Sequence, residues 1–280
     1  GSLVCVGAHC RNSGREAGYP WAEDYNLSSY AGGVHGDGQQ FLRALLEAST
    51  AEDPLILLAL APPTDIHDLL AESPGLAERM AIVAMSGSIY KGYNGEPGKI
   101  VEFNVAGFDG DAVTASRGMY GAKGYQRKLT AAPLDVCGTL KLTGPNYQRV
   151  LASAAAGNRV TKAMLSAYVD WARHGPYNLP TTQWNPLEES TVLFDAVAVG
   201  LLISEQWFKL TEGVVEVSPE GYTNMVPNVD ELGLGAGVVR EALAWRSGAE
   251  AEFAAWMTDV LTGDAPSGVP VDAKATMASA

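Results

Sequence analysis

Pro54-Leu-Ile-Leu-Leu-Ala-Leu-Ala61 is apolar without a break, and that run constrains the fold more than any other stretch. A strand with one wet face would alternate. A continuous run instead marks a strand covered on both faces, as in a parallel sheet. Pro62-Pro63 stops it, and Thr64 is placed to cap a helix over 65–71. A short helix over 76–80 then leads to a second apolar run, Ile82-Val-Ala-Met85, which ends at Ser86-Gly87. Two strands joined by a helical crossover form a βαβ unit, almost always right-handed. The expected class is therefore α/β, with an open, mostly parallel sheet flanked by helices.

The rest of the chain fills in around that unit. Leu3 to Val6 is a short apolar run ended by Gly7, and 11–38 shows neither helical nor strand periodicity. Phe41, Leu42, Leu45 and Leu46 give a helix over 39–49 one apolar face. Asp109 is read as the cap of a helix over 110–120, and 125–134 as a strand ended by Leu134-Asp135-Val136. Helices follow over 145–155, over 161–173 behind a cap at Asn158, and from Phe194 to about 203. Trp207–Leu210 and Val214–Val217 flank Thr211-Glu212-Gly213, the pattern of a hairpin. A last helix over 249–261 carries Phe253, Trp256, Met257, Val260 and Leu261 on one stripe, with Gly263 as its stop. No repeat or linker divides the chain, so 1–263 is expected to form one domain and 264–280 a loose tail.

Composition narrows the function. Nineteen Lys plus Arg against 32 Asp plus Glu give a net charge of −13. Such a surface repels polyphosphate, which argues against a nucleic-acid partner and favours neutral or cationic small molecules. No apolar run reaches the ~20 residues that span a bilayer, so no membrane role is expected and a cytoplasmic address is the default. The three cysteines, Cys5, Cys10 and Cys137, form no even framework. Buried free thiols are the plainer account, although Cys5 and Cys10 could pair under oxidation. Nucleotide-cradling loops, zinc motifs and a serine-nucleophile elbow are all absent from the sequence.

Candidate chemistry gathers after the second apolar run, because ligands of open α/β sheets sit beyond the carboxyl ends of strands. Glu102 and Asn104 lie two apart. On an extended segment both would leave one face, with Phe103 on the other. A carboxylate beside an amide could bind vicinal hydroxyls such as those of a sugar. A polar hairpin edge over a buried Phe explains the same residues equally well. His35, between glycines before a helix, could act as an acid or be only a turn residue. Asp195, on a first helical turn, is suited to the helix dipole or to a cation.

Four stretches, with Val34-His-Gly-Asp-Gly38 as a fifth, make the sequence similar to the inosine/uridine-preferring nucleoside hydrolase family from about Leu3 to about Leu261. Ala61-Pro-Pro-Thr-Asp-Ile66 is similar to that family's Gly-Pro-Leu-Thr-Asn-Ile. Met85-Ser-Gly87 stands where it has Met-Gly-Gly. Glu102-Phe-Asn-Val105, with Asp109 five residues after Asn104, matches its Glu-Phe-Asn run. Phe194-Asp195-Ala196 stands where it has His-Asp-Pro. The resemblance implies a Rossmann-like sheet and hydrolysis of the N-glycosidic bond of a ribonucleoside, assisted by Ca²⁺. It implies ribose binding by Met85, Asn94, Glu102 and Asn104, and Ca²⁺ ligation by Asp195 and the Thr64 carbonyl. The expected partner is a small-molecule nucleoside, and a homo-oligomer is compatible with the resemblance.

Two departures qualify those expectations. The family's N-terminal aspartate cluster, Asp-x-Asp-Pro-Gly-x-Asp-Asp, has no counterpart here, so a first βαβ unit is read as missing and the general base is unassigned. The His often used to protonate a purine leaving group is replaced by Phe194, which leaves His35, solvent or nothing as the acid. An inactive riboside-binding or structural relative is the alternative to an active hydrolase.

Overall fold

The computed structural model describes residues 4–5, 26–107, 111–121, 128–174, 185–226 and 237–264. Its elements, in chain order, begin with β1 (Val4–Cys5), β2 (Val34–His35), α1 (Gly38–Ala48), β3 (Leu55–Ala59), α2 (Thr64–Glu72) and β4 (Met80–Met85). Next come α3 (Phe103–Ala106), α4 (Asp111–Gly121), β5 (Leu129–Ala132), α5 (Leu134–Cys137), α6 (Gly144–Ala155), α7 (Arg159–His174) and α8 (Phe194–Ile203). The last are β6 (Phe208–Val217), β7 (Thr223–Val226), β8 (Val238–Trp245) and α9 (Ala249–Thr262). Asp109, the reach from 122 to 127 and the tail from 265 lie outside the described residues.

Among the described residues, six strands form one sheet in the order β3-β4-β5-β8-β6-β7. β3, β4, β5 and β8 run parallel, while β6 and β7 complete the sheet antiparallel. β1 and β2 pair separately as a two-stranded parallel sheet. The α/β class expected from the two apolar runs is the architecture observed. β4 is buried at every position because it has a strand on each side and helices on both faces. β3, last in the order, is only half-buried along its length, so its apolar run reflects two packed faces but not an interior strand.

Each face carries its own core. Val83 and Met85 of β4 pack with α5, α6, α8 and α9 residues such as Val136, Tyr147, Val197 and Phe253. Ile82 and Ala84, one step out of phase, pack with Leu46, Leu69 and Tyr120 on the other face, as the two-residue side-chain period of a strand requires. Phe253 sits among Trp207, Trp245 and Trp256 with ring centroids 5.0, 5.5 and 5.6 Å away. That aromatic cluster locks α9 against the sheet.

Four local expectations are corrected. Thr211-Glu212-Gly213 is no hairpin turn. These residues continue one ten-residue strand, registered opposite Glu241, Arg240 and Val239 of β8. Gly213 is there because a Cβ would lie 2.7 Å from the Val226 carbonyl oxygen and 2.8 Å from Met225 Cε; close approach, not a turn, requires the glycine. The strand read over 125–134 is limited to Leu129–Ala132 within the described residues, and Leu134–Cys137 is a helical turn. Thr64 does not cap α2, whose N-cap is Pro63 with no side-chain cap bond. The helix expected over 76–80 is a 3-10 turn over Pro74–Arg79, and Met80 already belongs to β4.

Candidate active site

Because β3, β4 and β5 are parallel and in register, with Ala59 opposite Ala84 and Met85 opposite Ala132, their carboxyl ends line up. The segments that follow them therefore emerge on one rim. They carry Thr64 after β3, the loop 86–107 after β4, and Asp135 after β5.

Glu102 and Asn104 occupy the centre of that rim, but not as alternate residues of an extended segment. Glu102 is extended and serves as the N-cap of α3, while Asn104 lies within the helical turn. The reason is local: Glu102 Oε1 accepts from the Asn104 backbone N–H at 2.9 Å, a capping bond that starts the helix. Glu102 Oε2 accepts from the Gly87 N–H at 3.1 Å, so the carboxylate ties the end of β4 to α3. Gly87 itself has φ +94°, a left-handed conformation in which glycine is unstrained.

Asn104 Nδ2 donates to the Met85 carbonyl at 2.9 Å and lies 3.1 Å from the Met85 sulfur. With Nδ2 engaged on Met85, Oδ1 is the end of the amide left to accept. Both residues are buried, Glu102 to 2% and Asn104 to 8% exposure. Burial pushes the Glu102 carboxyl up to about 7, against the opposing pull of backbone N–H groups from Asn104, Gly87, Val105 and Phe103. The group thus changes charge near neutrality.

Asp135, expected from the sequence only as the end of a strand, lies on the same rim. Its two carboxylate oxygens accept from the Ile89 and Tyr90 N–H groups, each at 2.8 Å, and so hold the loop that follows Ser86-Gly87. Burial raises its pKa, with the two N–H bonds opposing. The signal was present: a carboxylate three residues beyond the last residue of a parallel strand.

Asp195 stands on the first turn of α8, where partial burial raises its carboxyl. Burial raises the Cys137 thiol of α5, and the charges of Glu102 and Asp195 add to that rise. Phe194, beside Asp195, meets the Tyr93 ring edge-to-face at 5.7 Å. That contact brings the start of α8 against the turn holding Asn94, an exposed residue at φ 56°. Thr64 begins α2, and Gln39 Nε2 reaches the neighbouring Asp65 carbonyl at 3.5 Å. His35 is exposed on the small two-stranded sheet and packs its ring on Phe41 at 4.3 Å. Among the described residues, this contact ties His35 to α1.

A family model described as inosine-uridine preferring nucleoside hydrolase matches residues 23–260. The chain belongs to this family. Solved structures agree at the level of fold. A plant nucleoside hydrolase, PpNRh1, superposes with a TM-score of 0.61 at 14% identity over 86% of this chain and 71% of its own. The purine-preferring ribonucleoside hydrolase from Gardnerella vaginalis gives 0.61 at 17% identity over 83% and 67% of the two chains. An inosine-guanosine nucleoside hydrolase gives 0.61 at 17% over 82% and 68%. No curated protein matches the sequence. Among the described residues, no helix of this family member is long and apolar enough to cross a membrane.

The metal implied by the family can be tested against the donor set. Calcium takes six to eight oxygen ligands. Among the described residues, no group of three or more His, Cys, Asp or Glu could hold a metal ion. Asp195 and the Thr64 carbonyl amount to two donors on separate helices, and by themselves they do not fit Ca²⁺.

Proposed function

We propose that this nucleoside hydrolase family member binds ribonucleosides at the carboxyl ends of β4 and β5 and hydrolyses the N-glycosidic bond to ribose and free base. The observation that carries the reading is the Glu102–Asn104 pair. One carboxylate and one amide are each fixed by hydrogen bonds to the end of β4, with acceptor capacity left over. Sugar hydroxyls donate to such acceptors, and a buried carboxylate stabilises the positive charge that grows on the ring as the glycosidic bond breaks. Met85 would pack on the sugar and Asn94 would close over it from the Tyr93–Gly95 turn. The net charge of −13 favours an uncharged nucleoside over a nucleotide.

The phenyl ring of Phe194 donates no proton, so the departing base would be protonated by His35 or by solvent. Asp195 and the Thr64 carbonyl are the oxygens this chain would turn toward Ca²⁺. The short donor set favours a second reading, riboside binding without hydrolysis.

Reducing-sugar release from inosine, uridine and adenosine, with and without added Ca²⁺, tests the proposal. Activity that disappears in Glu102→Ala supports it. Calorimetric heat with inosine, uridine or ribose, but no base release, identifies the binding protein. Neither heat nor release overturns both readings.

A further inference from the structure

Behind the Glu102 carboxyl, on the opposite side of the Ser86–Gly87 peptide, lies a buried side chain that the proposed chemistry does not use. Tyr120 of α4 is 1% exposed, and its hydroxyl donates to the Ser86 carbonyl oxygen at 3.5 Å. The Ser86 carbonyl and the Gly87 N–H belong to one planar trans peptide and point in opposite directions. One peptide is therefore gripped at both ends, by Tyr120 on its oxygen and by Glu102 Oε2 on its N–H at 3.1 Å.

We propose that Tyr120 is a positioning residue for Glu102, acting through the Ser86–Gly87 peptide.

Three observations carry this. First, the two residues add no side-chain bond of their own to this peptide. Among the described residues the buried Ser86 hydroxyl has no hydrogen-bond partner, and Gly87 has no side chain, while the neighbouring Ser88 is held by Thr223 Oγ1 through two 2.9 Å bonds. A Cβ built on Gly87 would meet the Tyr120 hydroxyl at 3.5 Å and Thr223 Oγ1 at 3.3 Å, so the tyrosine packs directly behind the turn. Second, the phenol keeps its proton. Burial and the charges of Glu241 and Glu102 push it well above its ordinary value, so it remains a donor. Third, its proton is not spent on the nearby acid. Among the described residues, neither oxygen of the fully buried Glu241 has a hydrogen-bond partner. Hydrogen bonds in series polarise one another in a low-dielectric interior. Donation to the Ser86 oxygen thus strengthens the Gly87 N–H as a donor to Glu102.

The proposal rests on Glu102 being the substrate-binding carboxylate, but its decisive test needs no substrate. Amide hydrogen exchange would be followed by NMR in the wild type and in Tyr120→Phe, which keeps the ring and removes only the hydroxyl. The Gly87 amide is expected to exchange roughly five- to tenfold faster, as the loss of one modest hydrogen bond predicts. The Asn104 amide, which donates to the other Glu102 oxygen, serves as the internal reference. A general loss of stability would speed both amides alike. Incorporating 3-fluorotyrosine, a stronger donor of nearly the same shape, is expected to slow Gly87 exchange instead. Equal Gly87-to-Asn104 ratios in all three proteins would overturn the proposal. The Michaelis constant for inosine or uridine, or the calorimetric Kd if there is no turnover, should rise severalfold in Tyr120→Phe. If the wild type neither binds nor cleaves ribosides, the functional reading falls, and the exchange ratio still decides the role of Tyr120.

Discussion

Asn104 Nδ2 donates to the backbone carbonyl of Met85 at 2.9 Å, so the last residue of β4 orients the amide on the candidate site. Replacing Asn104 with Asp sets a carboxylate oxygen against that carbonyl in a buried position. The lost donor and the new repulsion should cost about 1–3 kcal/mol. Denaturant unfolding at pH 7 should show a lower midpoint, with partial recovery at acid pH, where a protonated Asp can donate. An unchanged midpoint at pH 7 would contradict the pairing.

Asp135 satisfies two backbone N–H groups with two oxygens. Asp135→Asn leaves one oxygen for both and turns an NH₂ toward a donor, at an expected cost of about 1–3 kcal/mol. The Ile89 and Tyr90 amides should then exchange faster than those of β4. If they keep their wild-type protection, Asp135 does not hold this loop.

Stability should depend on pH through Glu102 and Glu241. Burial raises both carboxyls, Glu102 to about 7 and Glu241 well above 4.5. A raised acid binds its proton more tightly in the folded state, so its contribution is complete below the unfolded pKa and is lost as pH climbs through the folded one. For Glu102 the window runs from about 4.5 to about 7, worth on the order of 3 kcal/mol across it. Glu241→Gln keeps the shape without the charge, and should reduce the loss of stability between pH 5 and 8. A wild type as stable at pH 8 as at pH 5, with Glu241→Gln no different, would refute the assignment.

Gly200→Ala should destabilise the chain. A Cβ there would fall 2.4 Å from Phe253 Cε2, and Phe253 cannot retreat because three tryptophans surround it. Overpacking of this kind costs about 1–3 kcal/mol and would displace α8, whose first turn carries Asp195. Thermal melting reads the first effect and riboside affinity the second. A melting temperature equal to the wild type would show that the cluster yields.

Much of the fold was legible in runs of residues. The stretch from Pro54 to Ala61 and that from Ile82 to Met85 read as strands, and the stripe from Phe253 to Leu261 reads as a packed helix, and all three form. Local rules failed where distant partners decided. Thr211-Glu212-Gly213 reads as a turn until β8 is laid alongside it. Glu102-Phe103-Asn104 reads as extended until the Glu102 carboxylate caps the next turn. Glu241 lies in β8, a strand the sequence pattern did not announce, and is buried because α4 covers that face of the sheet.

By itself, the order of apolar runs, stops and helical stripes determined a parallel α/β sheet and pointed to the loop after Met85, since burial of apolar area and chain connectivity are written locally. Only the tertiary structure decided what each polar group does there. Whether a carboxylate caps a helix, holds a loop or sits unpaired in the core depends on which N–H groups folding brings within about 3 Å, and those come from residues far away in the chain.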